Sequence, residues 1–361
     1  MAPAIQSGRF ELILIAQTGE RFRDFAPYVA STNPHGVVAF QATLHDGRTG
    51  VFTGTGGEPA PQVSGDGAGD FYSHPDICED GSLCAFAARR SGGQRLLRLR
   101  GGWPRTLADT GGAFKRIGPL GPTMNDSGQV AFRADTAAGA GIFRGDGGPT
   151  IAVADRTRFS HFHGLPVINR QGAVVFRADS RRDVQGIYLW EGRGKELETV
   201  VDSTREFDEL GFFPCFDDTG SVTFSATRAG EPGIFRAWQG RIDTLVDSLG
   251  PFESFRGSLN NGSGPVLFYA TPRGGNLGVY AGLDVSADKV LAVGDPLLGS
   301  MVVELALNPV SLNEVGQVAV RLALADGGQA VVRADTRPLR ASSLPERRTP
   351  ARPSSSGRGW G

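Results

Sequence analysis

Lysine is nearly missing from this chain. Among 361 residues only Lys115, Lys195 and Lys289 occur, so arginine carries the positive charge. We read that as a compositional bias and not as a site built from arginines. Cysteine is scarce too. Cys78, Cys84 and Cys215 are too few for a disulfide framework and read as small buried side chains of a protein from a reducing compartment. No stretch approaches the roughly 20 apolar residues of a membrane-spanning helix. The start, "MAPAIQSGRFELILIAQTGE", lacks a positive region followed by a long apolar core, so no secretory leader is expected and a cytoplasmic monomer is. Charge of one sign is lacking as well. A formal net charge of −1 gives no bulk attraction to nucleic acid or to an anionic membrane. No Gly-x-Ser-x-Gly and no Cys-x-x-Cys occurs, and no glycine-rich turn opens a helix, so neither a nucleophile elbow nor a nucleotide cradle is supported.

What is present is glycine, 52 residues of it, which suits a chain of many tight turns. The stretch "MNDSGQVAFRAD" (124–135) returns as "INRQGAVVFRAD" (168–179). The pattern recurs seven times, with turn glycines at Gly36, Gly81, Gly128, Gly172, Gly220, Gly264 and Gly316, a period of about 45 residues. Three places before each stand Asn33, Cys78, Asn125, Asn169, Asp217, Asn261 and Asn313. Asn or Asp opening a turn and Gly closing it fit a type I turn, and only Cys78 breaks the rule. Each glycine leads into a period-two strand such as "VVAFQA", "QVAFRA" or "SVTFSA".

Two more strands follow in each unit, one of the form "GIF" or "GVY" and one ending in Asp, as in "TLAD" or "TVVD". A short strand, often after Pro, precedes each turn. Four short strands per unit of this period predict the blades of a β-propeller, since one such unit cannot bury both faces alone. The expectation is all-β: a seven-bladed propeller over residues 10–335, between an N-terminal extension (1–9) and a disordered tail (336–361) rich in Pro, Ser, Gly and Arg. The seventh unit lacks its outer strand, while residues 10–16 form an orphan strand like the outer strand before "DTGGAFKRI". Residues 10–16 are therefore expected to complete the last blade and remove two open edges.

The pattern F-x-x-[FLI]-x…P-x-[IL]-N-x-x-G-x-V-A-F-x-A…G-[IV]-[FY] resembles the bacterial tandem-repeat proteins described by an NxxGxxAF motif. More distantly it is similar to the TolB-type propeller repeat, in which a Pro-x-x-Ser-x-Asp-Gly turn precedes an Ile-Ala-Phe and an Ile-Tyr strand. The resemblance covers residues 10–335. It implies a propeller and nothing about chemistry, because its motif residues are structural.

Function is expected where the repeats differ. The least repetitive segments are read as loops entering the inner strands: "GDFYSHPDI", "FKRIGPLG", "FSHFHGLP", "EFDELGFFP" and "FESFRGSL" among them. Three of five histidines fall there. His161 and His163 share a face if extended, and with His74 and Asp76 they could hold a divalent Fe, Zn or Cu ion. Hydrogen-bonded loop residues are the plainer alternative. Asp208, Glu209 and His163 are candidates for acid–base chemistry. Arg116 and Arg256, beside the aromatics Tyr72 and Phe162, could hold a ligand's carboxylate or phosphate. The repeated Asp109, Asp155, Asp202 and Asp247 read as turn caps more than as calcium ligands. The expected function is a binding module or scaffold taking a peptide or small ligand at the channel mouth. The alternative is an enzyme there, metal-dependent and in specialised metabolism.

Overall fold

The computed structural model describes residues 5–7, 9–25, 27, 29–66 and 70–336. Tyr28 and all of the expected tail beyond Thr336 lie outside them. Seven antiparallel sheets follow one another along the chain, spanning 22–64, 71–109, 114–155, 159–202, 209–247, 252–292 and 296–336. We number them blades 1 to 7. In each, strands run from an inner strand through a second and third to an outer one. The inner strand is commonly broken into two short pieces, as at Phe114–Ile117 and Thr123–Met124. Among the described residues the helical content is one 3-10 turn, Pro309–Ser311, and no helix is long and apolar enough to cross a membrane.

The ring closes through the chain start. Phe10–Gln17 pairs antiparallel with Gln329–Thr336 as the outer strand of blade 7. Phe10, Leu12 and Ile15 are buried, and Ile15 packs into the cluster of blade 1 around Phe22 and Phe40. One strand thus completes blade 7 and ties it to blade 1. Ile5–Ser7 pairs outside it, so part of the expected extension belongs to the sheet.

The "AF…GIF" pattern has a packing cause. Each of five blades buries an aromatic trio from its first three strands, such as Phe114, Phe132 and Phe143, with ring centroids 4.9 to 5.9 Å apart and edge contacts dominant. The trio of one blade meets the aliphatic face of its neighbour: Phe224 and Phe235 of blade 5 pack with Val175 and Ile187 of blade 4. The Gly opening the third strand is fixed by close approach. A Cβ on Gly141 would lie 2.8 Å from the Ala154 carbonyl on the bulged outer strand.

The repeated asparagine does two jobs. Its Oδ1 accepts backbone N–H groups of its own turn, as Asn33 does from His35 and Val37. Its Nδ2 donates to the equivalent carbonyl of the next blade: Asn33 to Cys78 (3.1 Å), Asn125 to Asn169 (3.0 Å), Asn261 to Asn313 (2.8 Å), Asn313 to Asn33 (2.7 Å). Cys78, the exception in sequence, keeps the second job, its thiol reaching Asn125 O at 3.1 Å. Blade 6 departs from the expected turn. Gly262, with φ at +75°, takes the left-handed place instead of Gly264.

Candidate functional site

The channel has two ends with different construction. At one end lie the seven Asn-x-x-Gly turns, and we call it the turn end. At the other, each outer strand crosses to the next inner strand, and we call it the crossover end.

The segments expected as crossover loops are mostly inner strand. His161 and His163 lie in Phe159–Ile168, Arg116 in Phe114–Ile117, Glu209 in Glu209–Leu210, Glu253 and Arg256 in Phe252–Leu259. Bulges against the second strand, for example between Phe159 and His161, break the period-two pattern and hide these strands in the sequence. The inner strand borders the channel on its free edge, so its exposed side chains face the lumen or the crossover surface. Lys115, Arg116, His161, Glu209, Phe212, Glu253 and Arg256 are all exposed.

The best-ordered cluster there is built on His163. Its Nε2 lies 2.7 Å from Asp179 Oδ2, and Arg177, 2% exposed, donates to Asp179 Oδ1. Burial works against ionisation of Asp179, but the hydrogen bonds from Arg177 and His163 outweigh it and hold the carboxyl below its usual range. The His163 ring stacks on Phe212 of blade 5, centroids 5.2 Å apart. Gly164 allows this. Its φ is +58°, and a Cβ there would overlap the Phe212 carbonyl. An acceptor carboxylate on Nε2 leaves Nδ1 as the proton-accepting nitrogen, the arrangement of an oriented general base or a hydrogen-bond acceptor.

Other expected residues are placed differently. His74, Asp76, His161 and His163 are not brought together, and among the described residues no three of His, Cys, Asp and Glu converge on a metal position. His161 instead lies 3.3 Å from Ser160 Oγ through Nδ1. Asp76 is 8% exposed and spends Oδ2 on the Met124 N–H (2.8 Å), a strut from blade 2 to blade 3. Burial lifts its carboxyl to about 7. His74 is 2% exposed, and burial lowers it to about 4. Its Nε2 would be 2.5 Å from a Cβ on Gly121 of blade 3 and lies 3.5 Å from Asn308 Nδ2 of blade 7. Blades 3 and 7 are not neighbours, so His74 sits across the channel between them.

Tyr72 and Phe162 are buried too, Phe162 against Phe159 and Phe176 in the blade core. Asp208 gives its carboxylate to the Gly230 N–H at 2.8 Å, capping a hairpin. Asp109, Asp155, Asp202 and Asp247 likewise accept N–H groups two residues on, which makes them turn caps. Burial raises all three cysteine thiols, which keeps them protonated and unreactive.

The turn end holds a feature that reasoning from the repeats missed. A cavity of about 170 Å³ is lined by residues of all seven blades. Its rim carries the second residue of the turns: Pro34, Glu79, Asp126, Arg170, Asp218 and Glu314. The signal was in the sequence, because this place and the one after it vary from blade to blade between a repeating turn-opening residue and a repeating Gly.

No family model matches the chain, and no curated protein matches it. Solved structures do. A puromycin-hydrolysing peptidase of Mycobacterium tuberculosis matches with TM-score 0.55 at 16% identity, over 88% of this chain and 53% of that one. Prolyl endopeptidases match with TM-score 0.54 at 11% identity, over 86% and 50%. A chain of the mitotic checkpoint complex matches with TM-score 0.50 at 12% identity, over 92% and 93%. A putative TolB from Agrobacterium tumefaciens is a weaker match, TM-score 0.43 at 16% identity, over 67% and 90%. The chain spans about half the length of the peptidases it matches. At these identities the likeness is one of fold.

Proposed function

We propose that this propeller is a binding module that receives a peptide or small ligand at the crossover end of its channel. One observation carries the reading. The places that build the fold repeat from blade to blade, while the exposed inner-strand places read Arg116, His161, Glu209, Glu253 and Arg256, with Phe212 in the bend after Leu210. A rigid scaffold with divergent side chains converging on one mouth is how repeat folds make specific sites. Phe212 offers an apolar face, 53% exposed, beside the ordered His163. Arg116 and Arg256 have no ion-pair partner among the described residues and supply the charge for a ligand carboxylate. Screening a peptide library against the full chain tests the reading. Sequences enriched by the wild type and lost with Arg116→Ala/Arg256→Ala support it, and identical enrichment by both refutes it.

A second reading, an enzyme at the same mouth, is favoured by the Arg177–Asp179–His163 array, which orients His163 as a general base would be oriented. Turnover of a selected ligand, lost in Asp179→Asn while binding persists, would move the assignment to it.

A further inference from the structure

The Pro309–Ser311 turn lines the turn-end cavity, which has its own chemistry. Four carboxylates, Glu79, Asp126, Asp218 and Glu314, surround its rim. Arg170 is the single cation among them. Its guanidinium lies 3.5 Å from Asp126 and 3.4 Å from Asp218, and it reaches across the mouth from blade 4 to pair with Glu314 of blade 7. Glu79 has no ion-pair partner among the described residues. One positive charge therefore stands against four negative ones on the rim.

The wall beneath is built differently. The residues before the turns line the same cavity, five of them apolar (Ile77, Met124, Ile168, Phe216 and Leu312) and one, Asn260 of blade 6, polar but already bonded to Asp217. In blade 1 that place is Thr32. It is 5% exposed, it lines the same cavity, and its hydroxyl has no hydrogen-bond partner. A buried hydroxyl left unmatched is costly unless something else supplies the bond. An acidic rim above a largely apolar collar with one waiting hydroxyl matches a cation carried on a short carbon chain. The cavity's size points the same way. At about 170 Å³ it is below the roughly 300–1,000 Å³ of drug-sized sites and suits a single side chain or amine.

We propose that the turn end is a second binding site, for a guanidinium or alkylammonium group on a short apolar chain, and that Arg170 occupies its rim until such a group displaces it. The site does not depend on what binds at the crossover end. An internal cation that must leave before the ligand enters lowers the apparent affinity by the fraction of time the rim is open.

Calorimetric titration of the full chain with n-butylguanidinium tests this. Arg170→Ala should bind it at least tenfold tighter than the wild type. Adding Glu79→Gln and Glu314→Gln to Arg170→Ala should remove at least tenfold, and His161→Ala/His163→Ala should change nothing. Neither glutamate side chain caps a turn, and a thermal melt of each variant checks folding. Should Arg170→Ala melt early, Arg170→Gln keeps the carbon stem and carries the same expectation. The proposal is overturned if Arg170→Ala binds no tighter than the wild type, if n-butanol binds as well as the cation, or if Ca²⁺ alone competes it away at equal concentration.

Discussion

The two ends of the channel are made by the same seven inner strands, yet they follow opposite rules. At the turn end the turn glycine is left-handed in six blades, and asparagine or Cys78 side chains tie five of the seven blades to the next. Variation there falls on the two middle side chains of each turn, and the first of the two lines the cavity rim. At the crossover end a bulge after the first inner-strand residue recurs in blades 1, 3, 4, 6 and 7, and the backbone varies beyond it, where blades 4 and 6 add a second bulge. Precise sites can be presented either way. The first way keeps the scaffold fixed and changes only charge. The second re-aims whole side chains, at the cost of ladder hydrogen bonds.

The most drastic way to break the comparison is to destroy both ends at once. Deleting residues 1–17 removes Phe10, Leu12 and Ile15, each buried, and opens blade 7. Burial of three such side chains is worth roughly 4–9 kcal/mol in sum, at about 1.5–3 kcal/mol each. That rivals a typical net stability of about 5–15 kcal/mol. The truncated chain should lose its cooperative melt or aggregate. An unchanged melting temperature would mean the ring does not need this strand.

Glycine substitutions separate the ends. Gly164→Ala, at the crossover end, combines a left-handed backbone with overlap against the Phe212 carbonyl, and should cost roughly 2–5 kcal/mol. Gly81→Ala, at the turn end, carries the same left-handed conformation, but nothing lies within 4 Å of the added Cβ. It should cost only about 1–2 kcal/mol. Chemical denaturation of both variants checks the ranking, and equal costs would show that Phe212 moves freely. The Gly164 variant should also weaken any ligand that needs the His163–Phe212 stack.

These pairs also show what was legible in the chain. The ring was, because seven copies of one turn and one strand pattern agree, and because the missing outer strand had a visible substitute at residues 10–16. The crossover residues were legible as a list but not as a structure. Bulged strands such as Phe159–Ile168 lack period two, and so they resemble loops. Tyr72, Phe162, His74 and Asp76 sit in the same irregular stretches, and burial, which decides their role, leaves no local signature. The turn end was overlooked because its asparagines and glycines are structural, and that fact obscured Glu79, Asp126, Arg170, Asp218 and Glu314 one place away.

The channel interior between the ends makes a sharper test, through pH. Asp76 has a folded value near 7 against an ordinary 3.8, so the fold favours its protonated form. Its contribution is complete below about pH 4 and is lost as pH rises to about 7. His74 has a folded value near 4 against 6.5, so the fold favours its neutral form. That contribution is complete above about 6.5 and is lost as pH falls toward 4. Between these limits the two slopes oppose each other, and from this pair alone the wild type should be nearly flat. Asp76→Asn keeps an oxygen for the Met124 N–H and removes one slope. It should melt higher than the wild type at pH 8, by on the order of a few kcal/mol in stability, with the advantage vanishing near pH 4. Parallel melting curves of the two proteins from pH 4.5 to 8 would show that Asp76 does not titrate as its burial requires.

The smallest expected effect on stability is at the crossover site itself. His161 is exposed and His163 is half-buried, neither caps a turn, and His163 meets blade 5 through its stack on the exposed Phe212 ring. Replacing both by Ala leaves Asp179 still paired with Arg177, so no charge is stranded. The double variant should stay within about 1 kcal/mol of the wild type, the range of ordinary surface changes. Its ligand binding should nevertheless fall, because the Phe212 ring loses its stacking partner and the lumen loses an oriented nitrogen. Binding measured beside melting separates the outcomes. Stability and affinity both retained would transfer the crossover function to Arg116, Glu209, Glu253 and Arg256. Stability lost along with affinity would make His163 a strut between blades 4 and 5, like Asp76 between blades 2 and 3. Affinity lost with stability retained is the signature of a side chain held in place by the fold but not required by it.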